Sequence, residues 1–169
     1  MLKFPSVHTK NYVLRKIQPE DLEDFIEVSF YNGRTAKNIR QAREIMLRIE
    51  HDFYRGDSVH WAIADKKGTT FIGACGLYHS ILKDQTEVGF ALKETFLRQG
   101  IMSEILPEIV KFSIKILNMR NIVAVADTSN AASVALLKKS GFVFDKVVKG
   151  GLEQYRFALP KKQFSQRRD

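Results

Sequence analysis

The chain reads as an α+β (α/β) domain, with a mixed, mostly antiparallel central sheet of about seven strands flanked by about four helices. Three observations predict it. Apolar residues recur at helical spacing in separated stretches. Strand-like runs face one another across short glycine-containing turns, the mark of antiparallel hairpins. Between two such groups runs a β-α-β passage, which makes the sheet mixed rather than purely antiparallel.

Residues 12–17 alternate apolar and polar side chains and open the order as a strand. Pro19 followed by Glu20 and Asp21 starts a helix, because proline suits the first position and acids suit the positive end; its apolar side carries Leu22, Phe25, Ile26 and Phe30. A second helix is expected over 36–54, with Ile39, Ala42, Met46, Ile49 and Phe53 on one side and Gly56 as its stop. Strands follow at 59–65 and 69–80, joined by Lys66-Lys67-Gly68, and at 85–92. A polar loop, 93–99, leads to Gly100 and a helix over 100–117, on which Ile101, Ile105, Ile109, Phe112 and Leu117 mark the buried side. Pro107 predicts either a later start or a bend, since an interior proline removes a hydrogen bond. A strand at 122–127, a helix at 130–140 closed by Gly141, and a hairpin of 142–148 with 152–159 across Gly150-Gly151 complete the chain, Pro160 ending the last strand.

The 169 residues fit one domain, 1–169, with no repeat, linker or low-complexity tract, and with 44% hydrophobic and 27% charged residues. No stretch is apolar for long enough to span a membrane, and Met1-Leu2-Lys3-Phe4-Pro5 lacks the apolar core of a signal peptide. The one cysteine, Cys75, cannot pair within the chain and sits in an apolar run, so a packing role and a reducing, cytoplasmic setting are expected. Of the net charge of +8, the basic tail 160–169 supplies +3, from Lys161, Lys162, Arg167 and Arg168 against Asp169, and is expected to be a solvated end. No basic helix with interleaved stacking residues stands out, so no nucleic-acid partner is expected. His8, His51, His60 and His79 show no metal-ligand spacing, and no metal is expected. Trp61 is expected in the core.

The informative stretch is 87–142. It contains Glu87-Val88-Gly89-Phe90-Ala91-Leu92, then Arg98-Gln99-Gly100-Ile101-Met102-Ser103-Glu104, then Asn130-Ala131-Ala132-Ser133 running to Gly141-Phe142. A strand leading through a tight loop into a helix presents backbone N–H groups that favour phosphate, and Gly100 allows close approach. Three such pieces in this order resemble the GCN5-related N-acetyltransferase superfamily, and within it the ribosomal-protein N-terminal acetyltransferase (RimJ/RimL-like) branch. The resemblance runs from Tyr12 to Leu159 and implies the acyl-CoA N-acyltransferase fold, with acetyl-coenzyme A as cosubstrate.

The resemblance also implies roles. Arg98, Gln99, Gly100, Ile101 and Met102 match the loop that holds the diphosphate of coenzyme A. Phe90, Ala91 and Leu92 match the strand that pairs with the pantetheine arm, and backbone N–H groups near Phe90 and Leu92 are expected to stabilise the oxyanion. Asn130 matches a residue on the other side of that arm and is grouped with Glu87 as catalytic; Ser133 matches a helix-start position near the cofactor. Glu87 is the expected base for the amine, with Glu104 as a rival better explained by its place in a first helical turn. Leu97 and Met102 depart from the superfamily's usual loop, and Leu137 stands where many members carry a tyrosine that protonates the departing thiolate. That proton then comes from water, another side chain, or no essential group. Tyr31, Asn32, Tyr78, His79 and Tyr155 are candidate acceptor-pocket residues. The expected activity is acetyl transfer to a primary amine, a protein or peptide N-terminus of ribosomal-protein type, with a small amine (antibiotic, polyamine or amino acid) or a non-catalytic acyl-coenzyme A-binding module as alternatives. A monomer or homodimer is expected.

Overall fold

The computed structural model describes residues 3–80 and 85–159; the basic tail 160–169, Pro160 included, lies outside the described residues. Among the described residues there are eight strands: β1 Val7–His8, β2 Tyr12–Arg15, β3 Ser58–Asp65, β4 Phe71–Ser80, β5 Gln85–Leu92, β6 Ile122–Ala126, β7 Phe142–Val147 and β8 Glu153–Phe157. Four α-helices accompany them: α1 Leu22–Phe25, α2 Ile39–Arg55, α3 Ile101–Lys115 and α4 Ala131–Lys139. The sheet order is β1-β2-β3-β4-β5-β6-β8-β7, antiparallel throughout except for the parallel pair β5–β6, which α3 connects. The strand beyond the expected seven is β1, only two residues long and too short to show alternation in sequence.

Two apolar cores cover the two sheet faces. On one, Trp61, Cys75, Leu77 and Val88 pack with Ile105, Ile109 and Leu106 of α3. On the other, Ala62 and Ala74 pack with Leu22 and Phe25 of α1 and with Ala42, Ile45 and Ile49 of α2. Cys75 is fully buried, and burial pushes its thiol far above the ordinary range, as suits a packing residue.

Local chemistry sets the boundaries. The first helix breaks into a 3₁₀ turn Pro19–Asp21, the short α1 and a second 3₁₀ turn Ile26–Val28. Arg15 ties it to β2 through two hydrogen bonds to the Asp21 carboxylate, of 2.6 and 2.8 Å. α2 begins at Ile39 rather than near 36 because the Asn38 side chain accepts from Gln41 N–H at 3.0 Å, while Ala36 N–H is engaged by Ser29 Oγ at 2.7 Å. Its buried stripe is Ala42, Ile45, Ile49, Asp52 and Phe53; Ile39 and Met46 of the expected stripe are displaced from its centre, and Ile39 is exposed. α3 starts directly after Gly100, so the proline does not delay it. Pro107 lies on the exposed side of the helix, and the carbonyl it leaves unpaired, that of Ser103, lies on that side too, where solvent can satisfy it.

Glu104, the rival acid, is committed to the fold. Its carboxylate accepts from Thr9 Oγ1 at 2.6 Å, Asn11 N–H at 2.7 Å and Asn11 Nδ2 at 2.8 Å, fastening the β1–β2 turn to α3. Burial raises its pKa, but these hydrogen bonds and the Lys10 charge outweigh it and hold the carboxyl below its ordinary value. Replacing Glu104 by Ala is expected to cost about 1–2 kcal/mol of stability, from lost hydrogen bonds to a charged group, with the acetyl-coenzyme A KM unchanged. Urea unfolding and steady-state kinetics check both parts.

Candidate active site

The central feature is a parting of two strands. β5 and β6 pair at Thr86–Ile122, Glu87–Val123 and Val88–Ala124, and there the ladder stops. β5 continues four residues further, paired only with β4, as far as Leu92 opposite Gly73. The direction of the unpaired groups follows from strand alternation. Thr86 N–H donates toward the β6 side, to Asn121 O at 2.8 Å, and Lys93 N–H donates to Ile72 O of β4 at 3.0 Å. Phe90 and Leu92, in step with Thr86, therefore present their N–H and C=O groups to the gap, an edge able to receive an extended ligand as an added strand.

A cavity of about 470 Å³ occupies this gap. Glu87, Gly89 and Ala91 line it from one face of β5, and Val88 and Phe90 from the other, which requires the space to pass through the sheet. Its floor is stripped of side-chain bulk: Ala74, Gly89 and Ala91 stand where larger residues would fill it. Ala124–Asp127 of the β6 end and Asn130, Ser133 and Leu137 of α4 form the far wall. The roof is the turn Tyr31–Arg34, closed by Tyr31 N–H to Arg34 O at 2.8 Å and the reverse bond at 3.0 Å, with Asn32 and Gly33 both at positive φ.

Beyond β5, a 3₁₀ turn Glu94–Phe96 leads to Arg98 at φ 60° and Gly100 at φ 74°. Gly100 is the N-cap of α3 and supplies no side-chain hydrogen bond, so the first N–H groups of the helix have no intrahelical partner and no side-chain cap. A Cβ at Gly100 would meet nothing within 4 Å. This bend lies outside the 470 Å³ cavity, at the end of the strand that borders it.

Two polar groups sit deep in the cavity wall. Tyr31 Oη donates to Asp52 at 2.9 Å and lies 2.9 Å from Ser58 Oγ. Burial first, and the Asp52 carboxylate next, push the Tyr31 phenol up to about 12. Burial also works against the Asp52 charge, but hydrogen bonds from Tyr31 and His51 and the Arg48 guanidinium outweigh it and hold the carboxyl below its ordinary value. Next to this group, His60 Nδ1 is 2.7 Å from Tyr78 Oη. Burial lowers the His60 pKa to about 4, so the ring is neutral near pH 7.

That burial has a stability consequence. Between about pH 6.5 and about pH 4 the unfolded chain binds a proton at this histidine that the folded chain refuses, so stability falls as pH drops through the window, by about 3 kcal/mol in total. Asp52, with its depressed pKa, adds its loss only at still lower pH. Urea midpoints of wild type and His60→Asn across this range check it: the variant is expected to lose much of the slope.

Of the residues singled out in sequence, the cavity brings together Glu87, Phe90, Ala91, Asn130, Ser133, Tyr31, Asn32 and Tyr78. Glu87 lies between Tyr78 and Val123 in the sheet and is itself engaged by a neighbour. Asn130 also caps α4, its Oδ1 accepting from Ser133 N–H at 3.1 Å. Leu92 borders the gap by its backbone only. His79 and Tyr155 are not in the cavity. His79 alternates to the sheet face opposite Tyr78 and lies 3.2 Å from Thr86 Oγ1. Tyr155 is buried in the α3-side core, its hydroxyl donating to Glu153 at 2.5 Å. Phe30, expected on a buried helical side, lines the cavity while 65% exposed. Sequence reasoning missed His60 and Asp127. Asp127 accepts from Ser129 N–H at 2.9 Å and Ser129 Oγ at 2.8 Å, shaping the turn before α4.

The comparisons agree with this geometry. The family model described as "Acetyltransferase (GNAT) domain" matches residues 11–143. The uncharacterized N-acetyltransferase YoaA of Bacillus subtilis (strain 168) is 28% identical over 163 residues, covering 91% of this chain and 89% of that protein. Among solved structures, the ribosomal L7/L12 alpha-N-protein acetyltransferase RimL in complex with coenzyme A superposes with a TM-score of 0.75 at 16% identity, over 88% of this chain and 94% of that one. The microcin C7 self-immunity acetyltransferase MccE, in complex with acetyl-CoA and AMP, gives 0.73 at 15% identity, over 89% and 93%. With the family match spanning most of the sheet, the parted strands and the α3 bend, the chain belongs to the GNAT acetyltransferase family and is an acetyl-coenzyme A-dependent N-acetyltransferase.

Proposed function

We propose that the enzyme acetylates the α-amine of a protein or peptide, in the manner of the RimJ/RimL branch, in the cytoplasm. The observation that carries this reading is the openness of the acceptor side. Tyr31 and Asn32 line the reaction cavity and also a second hollow of about 890 Å³ bounded by Arg34, Gln41, Glu44 and Arg48. A peptide has room to leave the cavity past Tyr31 and run along α2, whereas a small amine would leave that hollow empty. The likeness to RimL supports the same choice.

In this reading the diphosphate rests on the N–H groups at Arg98–Met102, and the pantetheine arm lies along Phe90–Leu92 between β5 and the Asn130–Ser133 turn. Phe90 N–H, facing the gap, donates to the developing oxyanion. Glu87 takes the proton of the incoming ammonium, directly or through water, so that a neutral amine attacks. Alignment of amine and thioester in the narrow cavity supplies much of the acceleration. Assay of a library of free-α-amine peptides beside antibiotics, polyamines and amino acids tests the reading. Turnover of peptides above small amines is the expected result. Turnover confined to small amines would transfer the assignment to that class.

A further inference from the structure

We infer that the hollow beside the reaction cavity reads an acidic side chain, Asp or Glu, among the residues that follow the acetylated end of the acceptor peptide, with Arg34 and Arg48 as the specificity-determining residues. The inference deepens the reading above and rests on it, since a peptide has to pass Tyr31 and run along α2 to meet them.

The wall of this hollow is rich in donors. Arg34, Gln41 and Arg48 line it, against Glu44 as the one acid of the wall among the described residues. Arg48 is held in place without being used up. Its Nε lies 3.2 Å from Asp52 Oδ1 and 3.4 Å from Asp52 Oδ2, while its terminal Nη groups make no hydrogen bond among the described residues and the side chain is 64% exposed. A guanidinium fixed through Nε and open at both Nη groups offers a carboxylate a two-pronged partner. Asp52 itself is buried and does not line the hollow. Gln41 Oε1 accepts from Lys37 N–H at 2.8 Å, which leaves the Gln41 amide donors without a partner among the described residues. The Arg34 side chain is exposed and likewise has no hydrogen bond or ion pair among them.

The surrounding chain carries the same sign. Residues 34–55 hold six basic side chains, Arg34, Lys37, Arg40, Arg43, Arg48 and Arg55, against three acids, Glu44, Glu50 and Asp52. Two of the acids are already engaged, Glu50 by Lys16 and Asp52 by Tyr31 and Arg48. Lys37, Arg40 and Arg43 have no carboxylate partner among the described residues, and Arg40 stands one turn before Glu44, where its charge offsets that acid. Such a surface draws an anionic group and repels a cationic one such as a polyamine. Tyr31 and Asn32 line both spaces, so what occupies the hollow is continuous with what occupies the reaction cavity. That continuity favours an acidic peptide over an unrelated polyanion. An extended chain advances about 3.4 Å per residue, so the second to fifth residues of the acceptor are the ones within reach.

Pairs of free-α-amine peptides that differ only by Asp or Asn at position two, three, four or five test this with acetyl-coenzyme A as donor. At one or more of these positions wild type is expected to show kcat/KM about tenfold higher for Asp than for Asn at low salt. The gain should lie mainly in peptide KM, because the contact is made before and during reaction alike, and should shrink as salt is added. The Asp/Asn ratio is the readout for the variants, since a loss of folded protein lowers both rates and leaves their ratio in place. Arg48→Gln is expected to lower the ratio about threefold. Arg34→Glu should bring it to one or below and make a Lys peptide better than the Asn peptide. Peptide turnover with every wild-type ratio within about twofold of one, or a ratio that neither variant moves, would overturn the inference while the peptide reading stands. A wild type that acetylates small amines and no peptide would instead remove both.

Discussion

Gly100→Ala is expected to weaken acetyl-coenzyme A binding at least about tenfold, equivalent to 1.4 kcal/mol, while the domain remains folded. The two effects separate because of where the new methyl would point. It meets no protein atom within 4 Å, so packing is not disturbed. What it disturbs is the backbone: at φ 74° a residue with a Cβ is strained by about 1–2 kcal/mol, which for a domain of this size lowers Tm by about 2–8 °C. The space it fills is the approach to the N–H groups of α3, which have no side-chain cap. Calorimetric titration with acetyl-coenzyme A checks the affinity and a thermal melt the fold. Unchanged affinity in the variant would mean that the diphosphate rests elsewhere.

Glu87→Gln is expected to lower kcat by about 10²–10⁴-fold and to leave acetyl-coenzyme A affinity as it was. Glu87 stands at the last stretch of paired β5, one residue before the ladder with β6 ends, with Tyr78 opposite it on β4. A carboxylate there lies in the wall of the cavity that the proposed reading gives to the amine. Gln keeps the shape and the ability to accept a hydrogen bond but cannot take a proton. A variant with lowered stability and wild-type kcat would make Glu87 a structural partner of its neighbours, and the base would have to be sought elsewhere.

Much of this site could be read in the chain. The passage from β5 through the bend at Arg98–Gly100 into α3 was legible because a glycine before an amphipathic helix has a defined backbone use. Phe90 and Leu92 were legible as an edge only through the family resemblance, since the parting of β5 from β6 depends on a partner strand about 35 residues away in sequence, and alternation within one strand carries no record of it. His60 was hidden for a different reason. β3 is buried on both faces over Ser58–Ala64, so its sequence shows an apolar run in which one histidine has no visible direction. Its place follows from parity with Ala62 and from the glycine opposite it at 76, which only the register supplies. Tyr155 and His79 were misplaced by the same parity: each is one strand position from a residue on the other side of the sheet. The boundary of α2 turned on Asn38 and on Ser29 holding Ala36, a contact between segments that helical periodicity does not reach.

The central claim is geometric: the cosubstrate adds itself to the free edge of β5 and caps the start of α3. Amide hydrogen exchange with and without acetyl-coenzyme A tests it most directly. The account predicts slowed exchange at Phe90, Leu92 and the amides from Gln99 to Ser103, with the β2–β3 amides unaffected. Binding without added protection at those two segments would contradict it.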